Sequence, residues 1–354
     1  MTRDSILTTL ALVLVGGLGG FAAHLLHTPL PFMLGSLVAT ALSATLFARA
    51  IPEGYVFPQK FRLIFLAVIG VMIGAQVSPD LLDLLPAMLA SFTAIVLFVG
   101  LAHGGNYLIF RHVGGYDPAT AFYSGTPGGL LESIAMGEAA GADIATLTMQ
   151  QFLRIILVIT MVPVGLSIWM GAPVGSASGM TLAHASPSDF SHVHLVVLTG
   201  LIGILIGKPL RLPAWQLTGP LFAAAIVSST GLGVLDLPNW MISVCQVVIG
   251  ASLGMRLGGL RGRAVLRGAG LGILSVGLML SIGLAFALVL VRLTGQPIDV
   301  LMVSFAPGGV TEMALVALSL NANPALVTAH HIWRIILTVI ELAFIGRYVQ
   351  PRTL

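Results

Sequence analysis

Two glutamates and two arginines stand in segments that are otherwise too apolar to hold a charge. Pro127, Gly128 and Gly129 are followed by Glu132 and then by Arg154. Pro307, Gly308 and Gly309 are followed by Glu312 and Arg334, each 180 positions after its counterpart. A charged side chain in the bilayer core costs several kcal/mol unless it is paired or faces a wet cavity. A Pro-Gly-Gly stops a helix, and non-helical backbone at membrane depth is tolerated only in protein or along a cavity. The helix that restarts after each break offers free N–H groups and the positive end of its dipole. A carboxylate in that first turn is either stabilised there or, when desolvated, carries a proton. The chemistry this suits is the binding and carriage of a small charged solute, without a covalent step, so no enzyme is expected.

The neighbours extend the candidate site. Ser124 and Thr126 lead into the first break, Ser304 leads into the second, and Ser133 and Thr311 flank the two acids. The arginines admit two readings: a salt bridge to the glutamate of the same half, or a pair straddling a substrate path. Just before each arginine the halves differ, with Gln150 and Gln151 in the first and His330 and His331 in the second. Either histidine could titrate near neutral pH and couple transport to protons. Adjacent residues on a helix point about 100° apart, so the two histidines suit no shared metal. No metal site and no cofactor are expected, and the coupling ion is H+ or Na+. His103, His112, His184, His192 and His194 fall near segment ends or in a linker, and no role is assigned to them. The lone Cys245 allows no disulfide within one chain.

These residues need a membrane to sit in. The chain is 57% hydrophobic and 8% charged, with a mean hydropathy of +1.02, whereas soluble domains carry about 25% charged residues. The net charge of +3 comes from segment ends and lacks the aromatic interleaving of a nucleic-acid surface. No Walker A motif occurs, so ATP is not a direct energy source. The expected partners are the lipid bilayer and a small-molecule substrate, with no nucleic acid; a homo-oligomer is compatible.

The repeat organises the rest. Gly16, Gly19, Pro29 and Gly35 return at Gly200, Gly203, Pro213 and Gly219, and Gly70 and Gly74 return at Gly250 and Gly254. Small residues at this spacing let membrane helices approach closely. The repeats divide the chain into a first membrane half at 1–171, an external linker at 172–191 and a second half at 192–354. Each half has six apolar segments: roughly 6–27, 29–48, 61–78, 83–110, 118–140 and 144–171, then 192–208, 213–233, 239–256, 266–292, 299–320 and 324–348. Arg49, Lys60 and Arg62 mark a cytoplasmic loop in half one, while the equivalent loop of half two has no Lys or Arg. Equivalent loops then lie on opposite sides, and inversion requires an odd number of crossings per half. The expectation is an all-α polytopic protein of two inverted repeats, with about ten transmembrane helices and two re-entrant or broken segments at the Pro-Gly-Gly motifs. Both termini are expected in the cytoplasm, in a cell (inner) membrane.

The chain resembles the AbrB-type membrane protein family, whose members carry a duplicated domain. The carriers are Pro29 to Gly35 (PLPFMLG), Ile69 to Gly74, Thr126 to Glu132, Ala306 to Glu312 and His330 to Arg334 (HHIWR). The resemblance implies a duplicated polytopic membrane protein and little about substrate. The family has been labelled both an ammonia monooxygenase and a regulator of gene expression, and is distinct from the small DNA-binding AbrB regulators. Inverted halves with paired breaks and paired charges point to an ion-coupled secondary transporter of a small organic solute, weakly favouring a carboxylate, working by alternating access. The alternatives are a membrane sensor or regulator acting through a partner and, less favoured, a metal-dependent monooxygenase.

Overall fold

The computed structural model describes residues 3–77, 85–171, 192–238, 240–257, 263–320 and 322–349. The linker anticipated at 172–191 and Asn321 lie outside the described residues. All regular structure within them is helical. The first half holds α1 (Arg3–Leu25), α2 (Pro31–Leu46), α3 (Gln59–Gly74), α4 (Leu85–Leu108), α5 (Pro118–Ser124), α6 (Leu130–Ala139) and α7 (Ile144–Met170). The second holds α8 (Val193–Gly207), α9 (Trp215–Thr230), α10 (Trp240–Leu257), α11 (Arg263–Thr294), α12 (Ile298–Phe305), α13 (Val310–Ser319) and α14 (Pro324–Val349). Among the described residues, five helices are long and apolar enough to cross a membrane: those spanning Asp4–Leu25, Met88–Val113, Ile144–Met170, Leu266–Thr294 and Pro324–Gly346.

Two compact units take their elements from both halves. The first comprises Met1–Leu81, Pro163–Leu260 and Ala314–Ala325; the second comprises Leu82–Val162, Arg261–Met313 and Leu326–Leu354. In the first unit, α1 packs on α2 and α8 packs on α9. Glycines set both contacts. A Cβ on Gly19 would strike the carbonyl of Gly35, and one on Gly203 would strike the backbone of Pro220. The third helix of each half then crosses to the other half's pair. Gly70 and Gly74 of α3 lie against the carbonyls of Leu217 and Leu221 on α9. Gly250 and Gly254 of α10 lie against those of Met33 and Leu37 on α2. The exchange is reciprocal at equivalent positions.

The second unit holds the first broken segment and the second as far as Met313. Pro118 starts α5 behind Asp117, whose carboxylate accepts the Thr120 N–H at 2.9 Å. The helix stops at Gly125, and α6 starts after Gly129, whose φ of +59° suits glycine. The two arms lie side by side. The Asp143 N–H donates to Thr120 Oγ1 at 2.7 Å, and a Cβ on Gly137 would sit 3.2 Å from that of Tyr123. Residues fourteen apart in one straight helix would be about 21 Å apart, so the segment is a re-entrant hairpin. Asp143 also caps α7: it accepts from Thr146 Oγ1 at 2.6 Å and from Ala145 N at 3.0 Å. The Thr146 hydroxyl, more than the backbone bonds, holds its carboxyl below the usual carboxylate range.

The second break follows the same course. Leu301 of α12 and Leu326 of α14 line one small cavity, and further along His331 meets Val303 and Arg334 meets Ala306. α14 therefore begins beside the beginning of α12 and runs with it, so α13 must bring the chain back. Apart from its hairpin, each half has five α-helices among the described residues, the odd number that two inverted repeats require.

Filling a glycine contact should test the exchange. Gly70→Ala and Gly250→Ala each insert a methyl into a backbone contact, which costs about 1–3 kcal/mol. A fall in the melting temperature of the purified protein by roughly 2–10 °C is expected. Gly17→Ala, at a position with nothing within 4 Å, should leave it unchanged. Equal melting for all three would refute the packing.

Candidate functional site

The site begins with the carbonyls that the breaks leave without helical donors. At the first break Arg154, which is buried, donates from Nη1 to the Thr126 carbonyl. Gln151 donates from Nε2 to the Tyr123 carbonyl at 2.9 Å and to Thr126 Oγ1 at 2.8 Å. Thr126 Oγ1 also meets Ser133 Oγ at 2.8 Å, tying one arm of the hairpin to the other. Thr126, Ser133 and Gln151 are fully buried. From α4, Asn106 Nδ2 donates to the Gly125 carbonyl at 3.0 Å, and its Oδ1 accepts from Ser275 of α11 at 2.9 Å.

The second break repeats this with different side chains. Arg334 donates from Nη1 to the Ala306 carbonyl, and from Nη2 to the Gly308 carbonyl at 2.8 Å and to His331 Nδ1 at 2.7 Å. His331 Nε2 meets the Val303 carbonyl at 3.0 Å. A guanidinium only donates and a carbonyl only accepts, so His331 carries its hydrogen on Nε2 and a lone pair on Nδ1. This is the neutral ring. Instead of the Asn106–Ser275 pair, an aromatic stack supports this break: Phe305 stacks on Phe286 of α11 at 5.7 Å and meets Phe98 of α4 edge-on at 5.6 Å.

The two breaks converge on one side chain. A Cβ on Gly128 of the first break would sit 3.6 Å from Arg334 Nε and 3.2 Å from Thr338 Oγ1. Thus Arg334 holds the second break with its Nη atoms and lies beside the first with Nε. The Nε atoms of Arg154 and Arg334 and the Oγ atoms of Ser124 and Ser304 are buried without hydrogen-bond partners. Each arginine donates to main-chain carbonyls of its own break. Glu132 sits in the first turn of α6, with its Oε2 about 3.5 Å from where a Gly129 Cβ would lie. Glu312, in the first turn of α13, is buried and turns its carboxylate back on Gly309. Proline and glycine at 127–129 and 307–309 form the two turns themselves, and the buried Thr311 lies next to Glu312 in the chain.

Gln150 and His330, also singled out by sequence, point elsewhere. Gln150 Nε2 donates to Tyr116 Oη at 2.9 Å and to the Gly268 carbonyl at 3.1 Å. His330 bonds the Leu326 carbonyl through Nδ1 at 2.7 Å and Ser91 Oγ through Nε2 at 2.7 Å, with its ring edge-on to Phe92. Both support the helices behind the breaks. Of the histidine pair, one faces the break and the other faces α4, as their angular separation demands. Among the described residues no group of three His, Cys, Asp or Glu side chains gathers where it could hold a metal ion.

Sequence reading missed Asn106, Ser275, Thr338 and the pair His103–Glu341. His103 lies within the Met88–Val113 span, 2% exposed, with Nδ1 3.0 Å from Glu341 Oε1. Its position near the end of an apolar segment hid it. The available signal was Glu341, an acid in the last apolar segment whose counterpart in half one is Met161.

Comparison with known proteins gives the family. A family profile described as "Transition state regulatory protein AbrB" matches residues 32–350. The chain is similar to "Uncharacterized protein YhjN" of Bacillus subtilis strain 168, 26% identical over 95% of this chain and 91% of that one. It is also similar to a protein named "Putative regulator AbrB" in Escherichia coli K12, 25% identical over 94% of this chain and 92% of that one. No solved structure matches. With two inverted halves, a Pro-Gly-Gly hairpin in each and a profile match over nearly its whole length, the chain belongs to the AbrB family.

Proposed function

We propose that the protein is an ion-coupled secondary transporter of a small organic anion, with a carboxylate-bearing solute as the substrate class. One observation carries the reading. Arg154 and Arg334 are buried beside two convergent hairpin tips, and their hydrogen bonds run to carbonyls that cannot neutralise them. Two like charges in a low-dielectric site are costly alone, and an anion between them offsets that cost. The orphaned Nε atoms and serine hydroxyls at the tips supply donors for it. Glu132 and Glu312 stand in the first turns after the breaks and are the acids placed to exchange charge with the solute. The hairpin-bearing unit carries the solute by alternating access, in a cell (inner) membrane with both termini cytoplasmic.

A second reading follows from the name of the Escherichia coli relative, which describes a regulator. A sensor would bind the same anion and signal through a partner instead of moving it. Binding without flux, with a stable partner recovered on the basic stretch 256–267, would favour it.

Binding is tested by melting the purified protein with acetate, succinate and citrate in turn. A ligand at 100 times its Kd adds about 2.7 kcal/mol, so at least one carboxylate should raise the melting temperature. Losing one charge-assisted donor costs about 1.5–3 kcal/mol, so Arg154→Gln and Arg334→Gln should weaken that ligand roughly 10- to 100-fold. Unchanged affinity in both would remove the arginines from the site. In proteoliposomes, Glu132→Gln, Glu312→Gln and Arg334→Ala should each abolish flux while the protein still folds. Wild-type flux in all three would sink the assignment.

His331 yields a separate expectation. It is held neutral between a carbonyl and Arg334, so it does not carry the coupling proton. His331→Gln, which copies Gln151, should keep the pH dependence of uptake unaltered. Loss of that dependence would show that His331 titrates.

A further inference from the structure

We infer that the protein holds one anionic phospholipid of the outward-facing leaflet, with the lipid phosphate on Arg292 and an acyl chain in the groove beside it. The groove has a volume of about 580 Å³ and is lined by Leu288, Val289, Val291, Arg292 and Leu293 of α11 and by Ile298, the first residue of α12. Every lining residue except Arg292 is apolar. Leu288, Val289 and Leu293 are exposed and belong to the Leu266–Thr294 span, so in a bilayer they face acyl chains. Arg292 stands in the last turn of α11. That helix has 32 residues, about 48 Å at the helical rise, against a hydrocarbon core of about 30 Å. Its last turn therefore reaches the level of the lipid phosphates.

A helix C-terminus alone favours a cation, but Arg292 does not serve as a cap. The last carbonyls of α11 have other donors: Leu290 accepts from Thr294 Oγ1 at 2.7 Å, and Val291 accepts from the Gly295 N–H at 3.0 Å. Among the described residues the exposed Arg292 makes no hydrogen bond or ion pair. The first half differs at the same place. Just past α4, Arg111 donates from Nη1 to the Tyr116 carbonyl at 2.7 Å and holds the turn into α5. The turn into α12 is made without its arginine. The side of the membrane adds a third reason. In the orientation proposed above, every other Lys and Arg that flanks an apolar segment faces the cytoplasm. Arg292 is the exception to the positive-inside bias, so orienting the chain does not account for it.

The chemistry of the lining selects the ligand. A guanidinium presents a planar fork of donors that matches two phosphate oxygens. Inorganic phosphate would leave the apolar groove empty, and an uncharged lipid would leave the arginine bare. A phospholipid supplies the phosphate and the chain in one molecule. No acidic side chain lines the groove, and Asp299, next to Ile298 in the first turn of α12, is outside the lining. A headgroup ammonium therefore finds no partner there, and a lipid of net negative charge is preferred to a zwitterionic one. The site rests on the orientation proposed above and is independent of solute transport.

Photolabelling tests it. The full chain is placed in phosphatidylcholine nanodiscs that contain a little phosphatidylglycerol with a diazirine in one acyl chain. After irradiation, peptide mass mapping should find the label at residues 288–298. Unlabelled phosphatidylglycerol should displace it, while inorganic phosphate should not. Arg292→Gln should cut the labelling roughly 10-fold, the effect of losing a charge-assisted donor. Arg49→Gln removes another exposed cation and should leave the labelling unchanged. Both arginines are exposed, so both variants should fold. Val289→Trp fills the groove with Arg292 in place and should also remove the label. On intact cells an impermeant maleimide should react with Gln296→Cys from outside, the native Cys245 being buried. Absence of label at 288–298, label that survives Arg292→Gln, or displacement by inorganic phosphate overturns the lipid site. Maleimide reaction confined to inverted vesicles overturns the leaflet. Label that persists in a protein without solute flux would keep the lipid site while transport fails.

Discussion

A backbone that stops being helical inside a bilayer must find donors for its freed carbonyls, and here two arginines supply them. Each approaches from the helix that follows its hairpin and bonds the carbonyl just before the Pro-Gly-Gly. The hairpins could not stay unwound at that depth without these donors. The arginines could not be buried without acceptors as densely placed as an unwound turn provides. Each feature makes the other tolerable, which explains why they are duplicated together. The charge remains after the hydrogen bonds are made, and that residue of positive potential is what the anion reading uses.

The halves share a main-chain geometry and differ in the side chains around it. Gln151 and His331 both bond the carbonyl three residues before the arginine's acceptor, so an amide and an imidazole do the same work. Behind the break, a polar relay through Asn106 and Ser275 in one half gives way to stacked phenylalanines in the other. A polar support holds the backbone by hydrogen bonds, whereas an aromatic one holds by packing alone. The single His103–Glu341 pair lies on the polar side.

Much of the fold was legible because its signals are periodic or repeated. The apolar segments match the helices to within a few residues, and the repeat offset alone identified Arg154 with Arg334. The glycine pairs at 70 and 74 and at 250 and 254 marked close contacts, but not that the partner helix belongs to the other half. That exchange is a tertiary fact without a local signature. The site was legible where residue types are improbable in lipid, as with Glu312 and Arg334. It was not legible for Asn106, Ser275 and Thr338, since single small polar residues are common in membrane helices. Spacing also could not tell that the arginines would donate to main-chain carbonyls, because the carbonyls freed by an unwound turn leave no mark on the spacing of charged residues.

The reciprocal placement of α3 on α9 and α10 on α2 bears on how the protein is made. Synthesis delivers α3 to the membrane with the small-residue face of Gly70 and Gly74 exposed and its partner still untranslated. That face cannot be closed by anything in the first half, because α2 is shaped to receive Gly250 and Gly254 of α10. The first half must therefore wait in the lipid as an incomplete bundle until α9 arrives. Neither copy of the duplicated unit can reach its final packing by itself, so the duplication is now obligatory for the fold.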